Sequence, residues 1–324
     1  MPVALVTGAA GQDGSYLVER LLADGYAVHA LVRPGSAPRE EPPEDPSAAL
    51  NHHQVDVTDH ARLGRLIDEI EPDEIYNLAG VSSVAQSWAA PVLTAEVSGV
   101  APVALLDRAL RLQRRVGRPV RVVQAGSAEV FGQPSTAPQD EMTPLRPLSP
   151  YGVAKAMAHQ AVEVFRCQGL FAVSAILYNH ESPRRPATFV TRKITSAVAQ
   201  IAETGAGHLA LGNLAARRDW GWAPDYVDAL IRAARHTEAA DYVVATGRAH
   251  SVEDFVRAAF AHVGIDKWRA HVTIDPALFR PADPAVLVGN ASKARAAIGW
   301  RPSVDFEGIV ARMVDHDREL LRRP

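Results

Sequence analysis

The chain has 324 residues, enough for one large α/β domain or two smaller ones with a substantial core. Hydrophobic residues make up 47% and charged residues 22%, which excludes general disorder, and the net charge of −3 lacks the basic excess of a nucleic-acid or membrane-surface protein. No apolar run approaches the roughly 18–20 residues of a membrane span. The opening string MPVALVTG has no basic signal pattern, so a cytoplasmic location is expected. The single cysteine, Cys167, excludes an intrachain disulfide and a cysteine-based metal cluster. His52 and His53 lack ligand spacing with supporting carboxylates, so no metal site is expected. Of the 34 basic residues only Lys155, Lys193, Lys267 and Lys293 are lysine. A motif that demands lysine is therefore unlikely to arise here by accident.

Residues 3–7 (VALVT) read as a short buried strand followed at once by glycines. Apolar positions Tyr16, Leu17, Leu21 and Leu22 give helical spacing over 14–24, and YAVHALV (26–32) reads as a second strand. Strand, glycine turn, helix and strand make a βαβ unit. Residues 34–49 contain Pro34, Pro38, Pro42, Pro43 and Pro46 and read as an exposed loop. The alternation then resumes, with strands at 52–57, 74–79, 121–126 and 171–177 and helices near 59–70, 92–112 and 151–168. Such alternation predicts a Rossmann-type α/β fold, a doubly wound parallel sheet covered by helices on both faces. Beyond about residue 180 the pattern loosens into a smaller substrate-binding lobe. The expected division is a dinucleotide-binding domain at 1–178 with a returning segment near 217–247, and a lobe formed by 179–216 and 248–324.

Gly8, Gly11 and Gly14 in TGAAGQDG follow a strand and open a helix. That context lets a pyrophosphate approach the free N–H groups of the helix N-terminus. At the end of the second strand an acidic residue would bind the ribose 2′-hydroxyl of NAD. The chain has Arg33 there, which suits a 2′-phosphate, so NADP is the expected cofactor. Tyr151 and Lys155 in SPYGVAK lie one helical turn apart on one face. An ammonium beside a tyrosine lowers its pKa and lets it serve as a base.

Together these features resemble the short-chain dehydrogenase/reductase superfamily in its extended, sugar-nucleotide-modifying form. The string QAGSAEVFG adds Ser127 and Glu129 at the end of a strand beside the expected nicotinamide position. The epimerases of this group usually lack an acid two residues after the hydroxyl residue, whereas the 4,6-dehydratases carry one. One carboxyl can remove the C5 proton and protonate the departing C6 hydroxyl. The strings LYNHESPRR (177–185), FVTRKI (189–194), LGNLAARRDWG (211–221), ATGRAHSVEDFV (245–256) and DPALFRP (275–281) make the chain similar to the GDP-mannose 4,6-dehydratase family over nearly its whole length.

The resemblance implies a GDP-sugar site lined by Asn179, Val190, Lys193, Arg218 and Arg280. It further implies Ser83, Glu181, Arg184, Gly212 and Asp283 at the sugar nucleotide. At the cofactor it places Gln12, Asp13, Asp56, Val57, Leu78 and His180, with Tyr151 and Lys155. The family usually has threonine at Ser127, asparagine at Thr188 and glutamate at Asp283. It also has a second arginine at Pro34, followed by a longer basic loop that joins dimers into tetramers. The implied activity is conversion of GDP-mannose to GDP-4-keto-6-deoxymannose, with a reductase or epimerase of the same fold as the alternative. A GDP-heptose substrate also stays open. The implied assembly is a homodimer built on the helices near 92–112 and 151–168, with a homotetramer as the further alternative.

Overall fold

The computed structural model describes residues 1–37, 49–279 and 286–322. Arg280, Asp283 and most of the proline-rich segment lie outside the described residues.

The first half runs β1 (Val3–Thr7), α1 (Gln12–Ala23), β2 (Ala27–Val32), β3 (Leu50–Gln54), α2 (His60–Ile70), β4 (Glu74–Asn77), α3 (Val84–Ala89), α4 (Pro91–Ala95), α5 (Ala101–Val116), β5 (Arg121–Ala125), α6 (Pro150–Cys167) and β6 (Phe171–Leu177). The second half runs β7 (Asn179–Glu181), α7 (Val190–Thr204), β8 (Leu209–Leu211), β9 (Arg217–Trp222), α8 (Ala223–Arg235), β10 (Asp241–Val244), β11 (Ala249–Ser251), α9 (Val252–His262), β12 (Val272–Ile274), β13 (Val286–Leu287), α10 (Ser292–Ala297) and α11 (Phe306–Arg322).

Seven parallel strands form the main sheet in the order β10-β6-β5-β4-β1-β2-β3. The order reverses direction between β1 and β4, and in such sheets the crevice at that point takes the ligand. Apolar faces of α1 and α8 cover one side of the sheet, including Leu17, Leu21, Leu230 and Ile231. The other side packs on α2, α5 and α6 through Leu63, Ile67, Leu105, Leu106 and Val162.

Two elements differ from the pattern reading. The helix near 92–112 is α4, a single π-helical turn at Glu96–Val100, and α5. Pro102 has no amide to donate and crowds the carbonyl of the preceding turn, so a widened turn forms ahead of it. The strand read at 52–57 is β3, paired with β2 from Val28↔Leu50 to Val32↔Gln54. It ends early because Asp56 Oδ1 accepts from Thr58 N at 3.0 Å and Thr58 Oγ1 at 2.8 Å, which turns the chain.

The second lobe centres on Ile194, Val198, Trp220, Phe255, Phe306 and Met313 from α7, β9, α9 and α11. The boundary falls inside the expected returning segment. β9 pairs with β7, β11 and β13, and only 223–244 join the main sheet layer. Ala291, Ala294, Ile298 and Trp300 also pack in the first core. Trp300 Nε1 donates to the Asp225 carbonyl at 2.7 Å.

Candidate active site

The β1–α1 turn lies at the reversal of strand order. Gly8 adopts φ +69°, and a Cβ there would sit 2.8 Å from Ala79 N. A Cβ at Gly14 would run into the Gly8 carbonyl. Gly8 needs glycine because the turn passes close to the chain just after β4, and Gly14 because α1 starts hard against the turn's own backbone. Gly11 precedes α1, and no side chain caps that helix. The donor set is backbone amide, held at a helix N-terminus, and it fits a dinucleotide's pyrophosphate.

A cleft of about 420 Å³ opens beside this turn, between the main sheet and the second lobe. Leu78, Ser83, Ser127, Glu129, Tyr151 and Lys155 line it from the first domain. Ser149 caps α6, accepting from Gly152 N at 3.1 Å, and Pro150 starts the helix with its φ already set. Tyr151 and Lys155 therefore face the cleft from the first two turns, at 8% and 4% exposure.

The expected lowering of Tyr151 by the neighbouring ammonium is not what this geometry yields. Burial dominates and pushes the phenol up to about 12; a hydrogen bond with Ser127 and the Arg185 charge pull it down, and the Glu129 charge pushes it further up. Lys155 Nζ lies 5.9 Å from the Tyr151 ring centre. It donates to the Ala125 carbonyl at 2.8 Å. Burial lowers Lys155 to about 8, with the Asp13 charge opposing. Desolvation outweighs the pairwise attraction at both residues.

From the second lobe the cleft is lined by Asn179, His180, Glu181, Val190, Lys193, Gly212 and Arg218. β7 and β9 pair in parallel from Asn179↔Trp220 to Glu181↔Trp222, which lays the NHE string against WGW at 220–222. Glu181 Oε2 accepts from Thr191 Oγ1 at 2.6 Å. Lys193 Nζ donates to the Ala210 carbonyl at 2.7 Å.

Residues 5–313 match the family described as GDP-mannose 4,6 dehydratase. The chain belongs to the GDP-mannose 4,6-dehydratase family. It is 45% identical to GDP-mannose 4,6 dehydratase 2 of Arabidopsis thaliana, covering 99% of this chain and 88% of that protein. It is 41% identical to GDP-mannose 4,6 dehydratase of Homo sapiens, covering 99% of this chain and 92% of that one. Its fold superposes with a TM-score of 0.85 on a dTDP-glucose 4,6-dehydratase of Streptomyces venezuelae solved with NAD bound, at 25% identity over 98% of this chain and 97% of that one.

Several of the expected site residues lie outside this cleft. Arg184 does not line the cleft: it lies 4.0 Å over the Tyr16 ring, donates to Ser15 Oγ at 3.0 Å and pairs with Glu19 at 2.8 Å. Its neighbour Arg185 lines the cleft instead, stacked 3.8 Å over the Phe189 ring and 3.2 Å from Glu181. In SPRR only the direction of the turn after Ser182 separates the two arginines, and no pattern in the string gives it. Gln12 is buried behind the glycine turn, donating to the His180 carbonyl at 3.1 Å and accepting from Ser182 at 2.8 Å. Arg33 and Asp56 follow β2 and β3 at the far end of the crevice, both exposed, and the Arg33 charge is among the influences that lower Asp56 after its bonds with Thr58. Val57 is buried beside them in the α2 core. Among the described residues no cluster of His, Cys, Asp or Glu could hold a metal ion, and no helix is long and apolar enough to cross a membrane.

Proposed function

We propose that the protein is a nucleotide-sugar 4,6-dehydratase acting on GDP-mannose with NADP, and that it works as a homodimer. The observation that supports this above all is Glu129, set in one cleft with Ser127, Tyr151 and Lys155 and close enough for its charge to raise the Tyr151 pKa. A reductase or epimerase has no use for that carboxyl. Bound nicotinamide would supply the acceptor, and later the donor, of the hydride that leaves C4 and returns to C6.

The chain's own residues divide the remaining work. Tyr151 takes the C4 hydroxyl proton. Burial makes its phenolate scarce but strongly basic, and the phenolate, held by the charge of Lys155, becomes the neutral phenol as it takes that proton. Ser127, bonded to the same phenol, orients the C4 oxygen. Glu129 removes the acidified C5 proton and returns it to the departing C6 hydroxyl as water leaves. Lys193 and Arg218 present cations to the guanine carbonyl and the diphosphate, respectively. The Gly8–Gly14 turn, Leu78 and Arg185 hold the dinucleotide, with Arg33 at its 2′-phosphate. The expected result is loss of one water from GDP-mannose by mass spectrometry, with no net consumption of NADP. Net consumption of NADPH would instead identify a reductase.

A further inference from the structure

The carboxylate of Asp13 sits in the first turn of α1, where the helix dipole and free amides favour an anion. A second negative charge there opposes binding of a pyrophosphate. The structure shows how it is balanced. His180 Nε2 lies 2.8 Å from Asp13 Oδ2, and His180 Nδ1 lies 2.7 Å from the Tyr178 carbonyl. A carbonyl oxygen only accepts, so Nδ1 carries a proton. Asp13 Oδ1 also accepts, from Gln12 Nε2 at 3.1 Å, which favours the ionised carboxylate, so Nε2 carries a proton too.

We propose that His180 is a standing imidazolium whose task is to neutralise Asp13, so that the glycine turn keeps its affinity for the dinucleotide's phosphates. The proposal rests on the dinucleotide reading above. His180 then acts on the cofactor through Asp13 as a positioning residue. The groups that face it are Asp13 from α1, Arg185 from the turn after β7, the Tyr178 carbonyl, and the Tyr226 ring from α8, stacked at 4.4 Å. Burial and Arg185 oppose its protonation, and Asp13 outweighs both, so its pKa is raised. In Asp13 burial raises the value and the His180 charge and bond outweigh it, so the net shift is downward. The neutral pair therefore persists from weakly acid pH up to the raised imidazole value, and is lost as pH climbs through it.

Calorimetric titration of NADP into the wild type, His180→Gln, Asp13→Asn and the double variant decides the matter. His180→Gln keeps a donor but removes the charge, and should weaken NADP by about tenfold, the scale of one uncompensated unit charge. Asp13→Asn in the same chain should restore affinity, since no carboxylate is left to neutralise. A double variant as weak as His180→Gln, or weaker, would show a merely structural contact and overturn the proposal, as would unchanged binding by His180→Gln. Nitrogen-15 spectra of the wild-type imidazole across a pH titration give a readout free of cofactor and of folding defects in the variants. Both ring nitrogens should stay protonated above the ordinary imidazole value, and a ring that turns neutral at or below that value would overturn the proposal. Wild type that shows the imidazolium but binds neither NADP nor NAD would mean that the dinucleotide reading has failed, and with it the role proposed for His180.

Discussion

Gln124 and Lys155 donate to one carbonyl, that of Ala125, at 3.0 and 2.8 Å. Gln124 also accepts from Asn77 Nδ2, and Asn77 accepts from Thr7 Oγ1, each at 2.6 Å. A buried polar chain thus crosses β1, β4 and β5 and ends at the oxygen that anchors the lysine. Gln124→Leu keeps the volume and strands the Asn77 amide. Unfolding in urea should show a loss of about 1–3 kcal/mol. Activity should fall no further than stability predicts, because Lys155 keeps its own bond to the Ala125 carbonyl.

Lys155 is destabilising while charged. Its folded value near 8 lies below the ordinary 10.5, so the folded state binds this proton less tightly than the unfolded chain does. The unfolded state therefore holds more protons between those values, and stability should rise with pH across that window. Lys155→Met should be inactive yet more stable at pH 7, by about 1–3 kcal/mol in denaturant unfolding. The gain should shrink as pH approaches the unfolded lysine value. Wild-type turnover should decline as pH rises through about 8, because the ammonium is lost.

Much of this was readable from pattern. β1, β5 and β6 are runs of buried, mostly apolar residues. The Tyr151–Lys155 spacing needs only a helix to place both on one face. What escaped depends on side chains meeting across distant strands. The Thr7–Asn77–Gln124 chain joins three strands whose register no local pattern gives. The same holds for the choice between Arg184 and Arg185, and for the return of Ala291 to Trp300 to the first core. The Tyr151–Lys155 spacing reports a neighbour's charge and says nothing of the desolvation that outweighs it at the phenol.

Arg33 should decide between cofactors. Arg33→Ala removes a cation that only a 2′-phosphate engages, so NADP binding should weaken by roughly tenfold or more while NAD binding stays level. Calorimetry with both dinucleotides checks this, and equal or tighter NAD binding by the wild type would count against NADP as the working cofactor.

On α6, Val153, Met157 and Val164 are spaced along one side of the helix and are 56%, 43% and 61% exposed. Val100, in the adjoining π-helical turn, is exposed too. Such a stripe suits a second copy of the same helices. Light scattering at micromolar concentration should give the dimer mass. Met157→Arg places a charge in the middle of the stripe and should yield monomer with an unchanged circular dichroism spectrum. A monomeric wild type would refute the dimer.

Glu129→Gln separates the two halves of the reaction. The amide is nearly the same size as the carboxyl, so fold and cofactor affinity should persist. Oxidation at C4 relies on Tyr151 and Lys155, so the variant should still show nicotinamide reduction in a single turnover with GDP-mannose. Elimination then stalls, because an amide can neither take the C5 proton nor protonate the C6 hydroxyl. Loss of general acid–base help slows a step by about 10²–10⁴-fold, and product formation should fall by at least that much. The trapped sugar should be a 4-keto-hexose that keeps its C6 hydroxyl. Tyr151→Phe should differ in kind, since it blocks the first proton transfer and no absorbance change should appear. The amide also removes the charge that raises the Tyr151 pKa, so the first half-reaction of Glu129→Gln should shift its pH dependence downward. Dehydration by Glu129→Gln at near wild-type rate would remove the carboxyl from the mechanism.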